Sequence, residues 1–276
     1  MKKYLKPLFT LVLIPLAILL AGCNSEGAFT RGEIHKPQVT ATLIEITVTP
    51  TPVLMLKGRT QQLVAIAKYD DGTEVDVSNS VIWEIVGDPT TTQLSPIGLL
   101  TALNAGTTEL MAAKDGISSN LVNVIVCDNL AAQCIDTIDA GNGKLFTSSP
   151  SVTYLDSIGG SATDGQYSGD EISSPLGSFY TFNLASAHAL CATYNTQNLA
   201  GRSNWRLASR DELKTELYDM YGNMFNRLGW PNHFQYWSET TPDPGIPANY
   251  AVSLTYGNIM RVDTSLVRSV SCVSNP

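Results

Sequence analysis

Ser203–Leu217 reads SNWRLASRDELKTEL, and the folding of that stretch decides what the second half of the chain is. Ser209 followed three residues later by Glu212 is a capping box, in which side chain and backbone satisfy each other's unpaired groups at a helix start. Leu213, Leu217 and Met220 then recur at helical spacing, and Gly222 is a stop. Trp205 and Leu207 alternate just ahead of the cap, which predicts a short extended segment packed beneath that helix. Arg206 lies between them with two roles open, pairing with a helix acid or contacting a ligand. Asp211, Glu212 and Glu216 fit a solvated helix face.

Upstream, FYTFNLASAHALCATYNTQ predicts another helix, capped at Asn183 or Ser186 and running to about Tyr194, with Leu184, Ala187, Leu190 and Cys191 on one side. Downstream, YWSET (236–240), NYAVSLTYGNIMRV (249–262) and LVRSVSCVS (266–274) alternate as strands do, and the middle one turns at Tyr256-Gly257-Asn258. Residues 156–178 are rich in Gly and Ser and predict a long surface loop.

The first half has a different rhythm. LIEITVTP sets Ile44, Ile46 and Val48 on one face, QQLVAIAKY makes a further strand, and Asp70-Asp71-Gly72 after it is a hairpin turn. VIWEIV with Trp83 and LVNVIV (121–126) complete a series of short strands at the spacing of a small β-sandwich. The acids Asp70, Asp71, Glu74 and Asp76 lack the spacing of a calcium loop and read as a solvated hairpin.

The chain opens MKKYLKPLFTLVLIPLAILLAGC, a basic start and a short apolar run that predict an export signal over residues 1–22. Leu20-Ala21-Gly22-Cys23 resembles the lipobox of bacterial lipoproteins, which implies a lipidated Cys23. Residues 23–41 then form a polar tether, and Asn24 after the cysteine favours the outer membrane by that resemblance. Removing residues 1–22 takes away Lys2, Lys3 and Lys6 and no acid, so the net charge deepens from −8 to −11. A chain of that charge repels phosphate backbones, which argues against a nucleic-acid partner.

Cys127, Cys134, Cys191 and Cys272 remain, an even set in an exported chain, and four cysteines allow three disulfide connectivities. Cys127 and Cys134 can close a small loop within the connector 127–145. Three scattered histidines and no C-x-x-C pair argue against a metal site, and no cofactor motif stands out. The G-x-S-x-G elbow, H-E-x-x-H and a Cys–His pair are all absent, so the expectation is a protein without catalysis.

Two resemblances sharpen this reading. Residues 42–126 carry V-T-P, L-K-G-R-T-Q-Q-L-V-A, Y-D-D-G-T-E-V-D-V-S and G-L-L-T-A-L-N-A-G-T-T, and resemble the group 2 bacterial immunoglobulin-like domains. Those are mostly spacers or adhesive modules of surface proteins. Residues 146–276, with N-W-R-L-A-S-R-D-E-L, Y-W-S-E-T and a terminal V-R-S-V-S-C-V, resemble exported domains of W-R-L-P…Y-W-S…R-C-V type with a C-type-lectin-like fold. Ala208 and Ser271 stand where that pattern usually has Pro and Arg. The resemblance implies that Cys191, on the first helix, pairs with Cys272 on the last strand, a loop worth about 4 kcal/mol in the chain-entropy account.

The expected fold is therefore multidomain: an all-β immunoglobulin-like sandwich followed by an α+β C-type-lectin-like domain, an order that resembles the tips of intimin- and invasin-type adhesins. The implied function is adhesion to a surface ligand, protein or glycan, from a membrane anchor. A structural or envelope-assembly lipoprotein is the alternative. Candidate ligand-binding residues are Trp230, His233, Phe234 and Tyr236, in the aromatic, Pro-rich loop Gly229–Ala248, with Arg206 beside them.

Overall fold

A computed structural model describes residues 41–242 and 245–276. The predicted export signal, Cys23 and nearly all of the tether lie outside the described residues. Ala41–Pro276 form a single compact unit, mostly β, organised around three hydrophobic clusters.

The first cluster belongs to residues 43–126 alone. One antiparallel sheet joins Leu43–Thr49, Val64–Tyr69 and Glu74–Asp76, and its hairpin turns at Gly72, where φ is +85°. A larger sheet is built on Gly106–Lys114, flanked by Val122–Cys127, Ile82–Ile85 and Ile117–Ser118; Val53–Leu56 adds in parallel to Val122–Cys127. A third, small sheet joins Thr60–Gln62, Leu99–Ala102 and Thr92–Leu94. Alternate residues of these strands, such as Ala65, Leu110, Ala112, Val122 and Val124, fill the core completely. The first strand departs from the simple alternation: its register slips between Leu43 and Glu45, burying Leu43 with Ile46 and Val48 and leaving Ile44 exposed. A one-residue slip turns a side chain to the opposite face, which is why Ile44 leaves the face assigned from sequence.

The connector is more deeply built in than its composition indicates. Cys127–Cys134 closes a disulfide, and Leu130 and Cys134 are buried in a cluster that also holds Leu56, Phe146, Phe179 and Trp230. Thr137–Asp139 is already a strand, paired with Leu145–Thr147, which pairs with Cys272–Ser274, which in turn pairs with Arg206–Leu207. Asp136 fastens the halves together. It is 3% exposed and accepts from Arg59 Nε at 3.1 Å, Arg59 Nη2 at 2.7 Å and Trp230 Nε1 at 2.9 Å.

The helices of the second half follow the caps read from sequence. Asn183 caps Leu184–Thr196 by accepting from the Ser186 N–H, and Cys191 on this helix is bonded to Cys272. Ser209 and Glu212 make the reciprocal capping box, with Glu212 N to Ser209 Oγ at 3.2 Å and Ser209 N to Glu212 Oε2 at 2.8 Å. The turns Glu212–Tyr218 are π-helical, with Asp219 N–H bonded to Lys214 C=O, before Asp219–Tyr221 resumes the α form. That wider turn buries Leu213 and Leu217 but leaves Met220 63% exposed, outside the stripe its spacing predicted.

A three-stranded sheet of Tyr236–Trp237, Ala248–Val252 and Ile259–Asp263 completes this half. Its hairpin closes on the second helix, where Gly257 lies so near the Tyr218 ring that a Cβ would sit 2.2 Å from it. Only Cys272–Ser274 of the predicted last strand is regular. The residues before it bridge first to Phe182 and then to Tyr236, linking separate elements in turn. Residues 156–178 include the end of a short helix, Val152–Ser157, and the paired strands Gln166–Ser168 and Ser178–Tyr180, where sequence indicated a loop.

Candidate ligand-binding surface

The residues singled out from sequence do not converge on one place. Trp230 and Tyr236 are completely buried and cannot meet a ligand at the surface. Trp230 donates to Asp136 in the interior, while the Tyr236 hydroxyl donates to Pro231 C=O at 2.8 Å. Both aromatics are large enough that their burial outweighs the polar setting of the loop, once each polar atom has a partner.

Arg206 is also resolved. Residues of a strand point alternately to its two faces, so Trp205 and Leu207 enter the cluster of the first helix and not the space beneath the second. Trp205 lies edge-on to Tyr194, with ring centroids 6.5 Å apart, and donates from Nε1 to Leu199 C=O. Arg206 faces the other way and forms a two-pronged ion pair with Glu212, at 2.8 and 2.7 Å. Lys144 joins the same carboxylate at 3.1 Å and reaches Glu216 at 2.7 Å. Burial pushes the Glu212 carboxyl up, but hydrogen bonds from Arg206, the Ser209 N–H and Lys144 outweigh it and hold the group down at about 2.

His233 and Phe234 do reach the surface, and the structure supplies partners for them that the loop alone did not disclose. Tyr167, on the strand Gln166–Ser168, stacks on His233 with centroids 4.8 Å apart and planes 20° apart. Phe234 meets Tyr167 edge-on at 5.3 Å and His233 at 4.8 Å, and Phe179 supports Tyr167 from behind at 5.6 Å. The Tyr167 hydroxyl is held by Ser174 Oγ at 3.0 Å, and burial raises its pKa.

Beside this cluster, Asp170 organises a tight turn by accepting from the N–H groups of Ile172 and Ser173. These bonds, led by the Ser173 N–H, pull its pKa down to about 2. Its carboxylate lies 3.9 Å from His233 Nδ1. The turn is joined to the aromatic loop by Asn232 N–H donating to Ser173 C=O at 2.6 Å. Its tip carries Ile172, 81% exposed, and Leu176, 58% exposed. Tyr167, Asp170 and Ile172 were missed from sequence because they sit in a Gly/Ser-rich run. Their one signal there was the presence of isolated apolar residues within a polar segment.

The arrangement offers aromatic faces, exposed aliphatic tips and one acid. All four described cysteines are in disulfides, so no described thiol is available for chemistry. Among the described residues, no group of three or more His, Cys, Asp or Glu side chains is placed to hold a metal ion.

Residues 162–274 match the Lcl C-terminal domain family. The chain is 35% identical over 104 residues to Ice-binding protein 1 of Shewanella frigidimarina, a match covering 38% of this chain and 11% of that relative's length. Among solved structures it is similar to the adhesin InvE of Yersinia pseudotuberculosis, with 19% identity, a TM-score of 0.39 and coverage of 84% of this chain and 70% of that one. It is also similar to an intimin mutant of EHEC O157:H7, with 11% identity, a TM-score of 0.28 and coverage of 84% and 100%.

Proposed function

We propose that this chain is a lipid-anchored, non-enzymatic adhesion or ligand-binding protein of the outer cell surface. In this reading Cys23 carries the lipid, residues 42–126 are an immunoglobulin-like spacer, and residues 146–276 are a C-type-lectin-like tip. The observation that carries it is the surface made by Tyr167, His233 and Phe234 beside the exposed Ile172. Rigid aromatics contribute large contact area at low entropic cost, and exposed aliphatic residues beside them are a usual mark of a binding site. The match of residues 162–274 to the Lcl C-terminal domain and the −11 charge after signal removal are consistent with an exported ligand-binding chain.

Two measurements test it. Protease applied to intact cells should digest the C-terminal half of the full chain; protection until lysis would place that half inside and end the adhesin reading. Glycan and protein arrays probed with the full chain should lose their hits by more than about tenfold on Phe234→Ala or Ile172→Asp, the size of a binding hot spot. Unchanged binding by both folded variants would remove this surface from the proposal.

A further inference from the structure

A separate concavity lies where the N-terminal and C-terminal halves of the compact unit meet, and nothing above assigns it a use. It encloses about 690 Å³, within the range of small-molecule sites. Pro50, Pro52 and Gln61 line it from the first half, and Gln197, Asn198 and Leu199 from the second, with the buried Tyr154 behind them. A smaller adjoining recess reaches Ile135 and Thr137, the residues on either side of Asp136. Arg59, Asp136 and Trp230 are not part of the lining, but their hydrogen bonds tie the two halves together beside Ile135 and Thr137, which orders the crevice before any ligand arrives.

The lining chemistry is selective. Among the described residues, no Asp, Glu, Lys or Arg lines either part, which disfavours a charged ligand. Four of the polar groups are side-chain amides, which like a sugar hydroxyl can both donate and accept. Gln61, Gln62 and Gln197 already donate from Nε2 to backbone C=O groups, which fixes them and leaves Oε1 to accept. Asn198 has left-handed backbone at φ 50° and is exposed, and its side chain makes no capping hydrogen bond with the backbone. The rings of Pro50 and Pro52 and the half-buried Leu199 offer apolar surface for the C–H face of a pyranose. We propose that this crevice binds a short neutral oligosaccharide, with Gln61 and Asn198 reading its hydroxyls from the two halves.

The test is an amide-resolved NMR titration of the full chain with chitotriose, cellotriose and maltotriose in turn, at millimolar concentration. At least one should shift the amide resonances of Thr51, of residues 53–62 and of residues 197–201. Asn198→Gly removes the amide while suiting the left-handed backbone, and should weaken that binding about fivefold. Gln61→Trp should block it by filling the crevice, and Tyr256→Ala, exposed and outside the lining, should leave it unchanged. Should Gln61→Trp fail to fold, Asn198→Gly decides. The proposal is overturned if none of the three sugars moves these resonances, if Asn198→Gly binds as the parent does, or if the crevice takes up a proline-containing peptide and no sugar.

Discussion

Asp136 and Glu212 show how single residues acquire roles that their neighbours in sequence do not reveal. Asp136 lies in a polar connector, yet it is 3% exposed and binds groups 77 and 94 residues away. Truncating one partner of such a buried pair leaves the others desolvated. Asp136→Ala should therefore lower stability by about 3 kcal/mol in chemical denaturation, and Arg59→Met in that background should restore part of the loss. Glu212 was legible as a cap and misjudged as a solvated acid, because its other two partners, Arg206 and Lys144, arrive from outside the helix. Its folded pKa of about 2 lies below the ordinary carboxylate range, so it adds stability at neutral pH that is lost as pH falls. Denaturation midpoints should decline between about pH 4.5 and 2, and Glu212→Gln should flatten that part of the profile. Trp230 and Tyr236, expected at the ligand surface, lie in the interior.

At the level of elements, local rules served where the relevant partner was local. Asn183 caps its helix, Ser209 and Glu212 cap theirs, and the Asp70-Asp71-Gly72 and Tyr256-Gly257-Asn258 turns are where the sequence indicated. The errors came where an element's geometry changes within its length: the slip at Leu43–Glu45 and the widened turns of Glu212–Tyr218. Ala208 and Ser271, the two departures from the resembled pattern, prove to be partners, with the Ala208 N–H donating to Ser271 C=O at 3.2 Å. A proline at 208 has no N–H and could not make that bond. The disulfide from the first helix to the last strand spans 81 residues. Replacing Cys191 and Cys272 by Ala together should cost about 4 kcal/mol, read as a lower denaturant midpoint, while the Cys127–Cys134 loop stays closed.

For the molecule as a whole, the informative feature is a shared core. Leu56 and Cys127 from the first half pack in one cluster with Phe146, Phe179 and Trp230 from the second. Residues 41–276 should consequently unfold in one cooperative transition by calorimetry, and Asp136→Ala should split or broaden it. What the sequence by itself determined was everything governed by short separations or composition: strand alternation, helix caps, turn residues, an even set of cysteines and a net charge of −8. Tertiary structure alone decided which aromatics are core and which are surface, which carboxylate holds Arg59, and that Tyr167 would lie against His233, 66 positions away in the chain. It also decided that two polar segments would enclose a crevice. The physical reason is that caps and alternation depend on residues a few positions apart. Burial and long-range pairing depend on which surfaces meet, and no local pattern encodes that meeting.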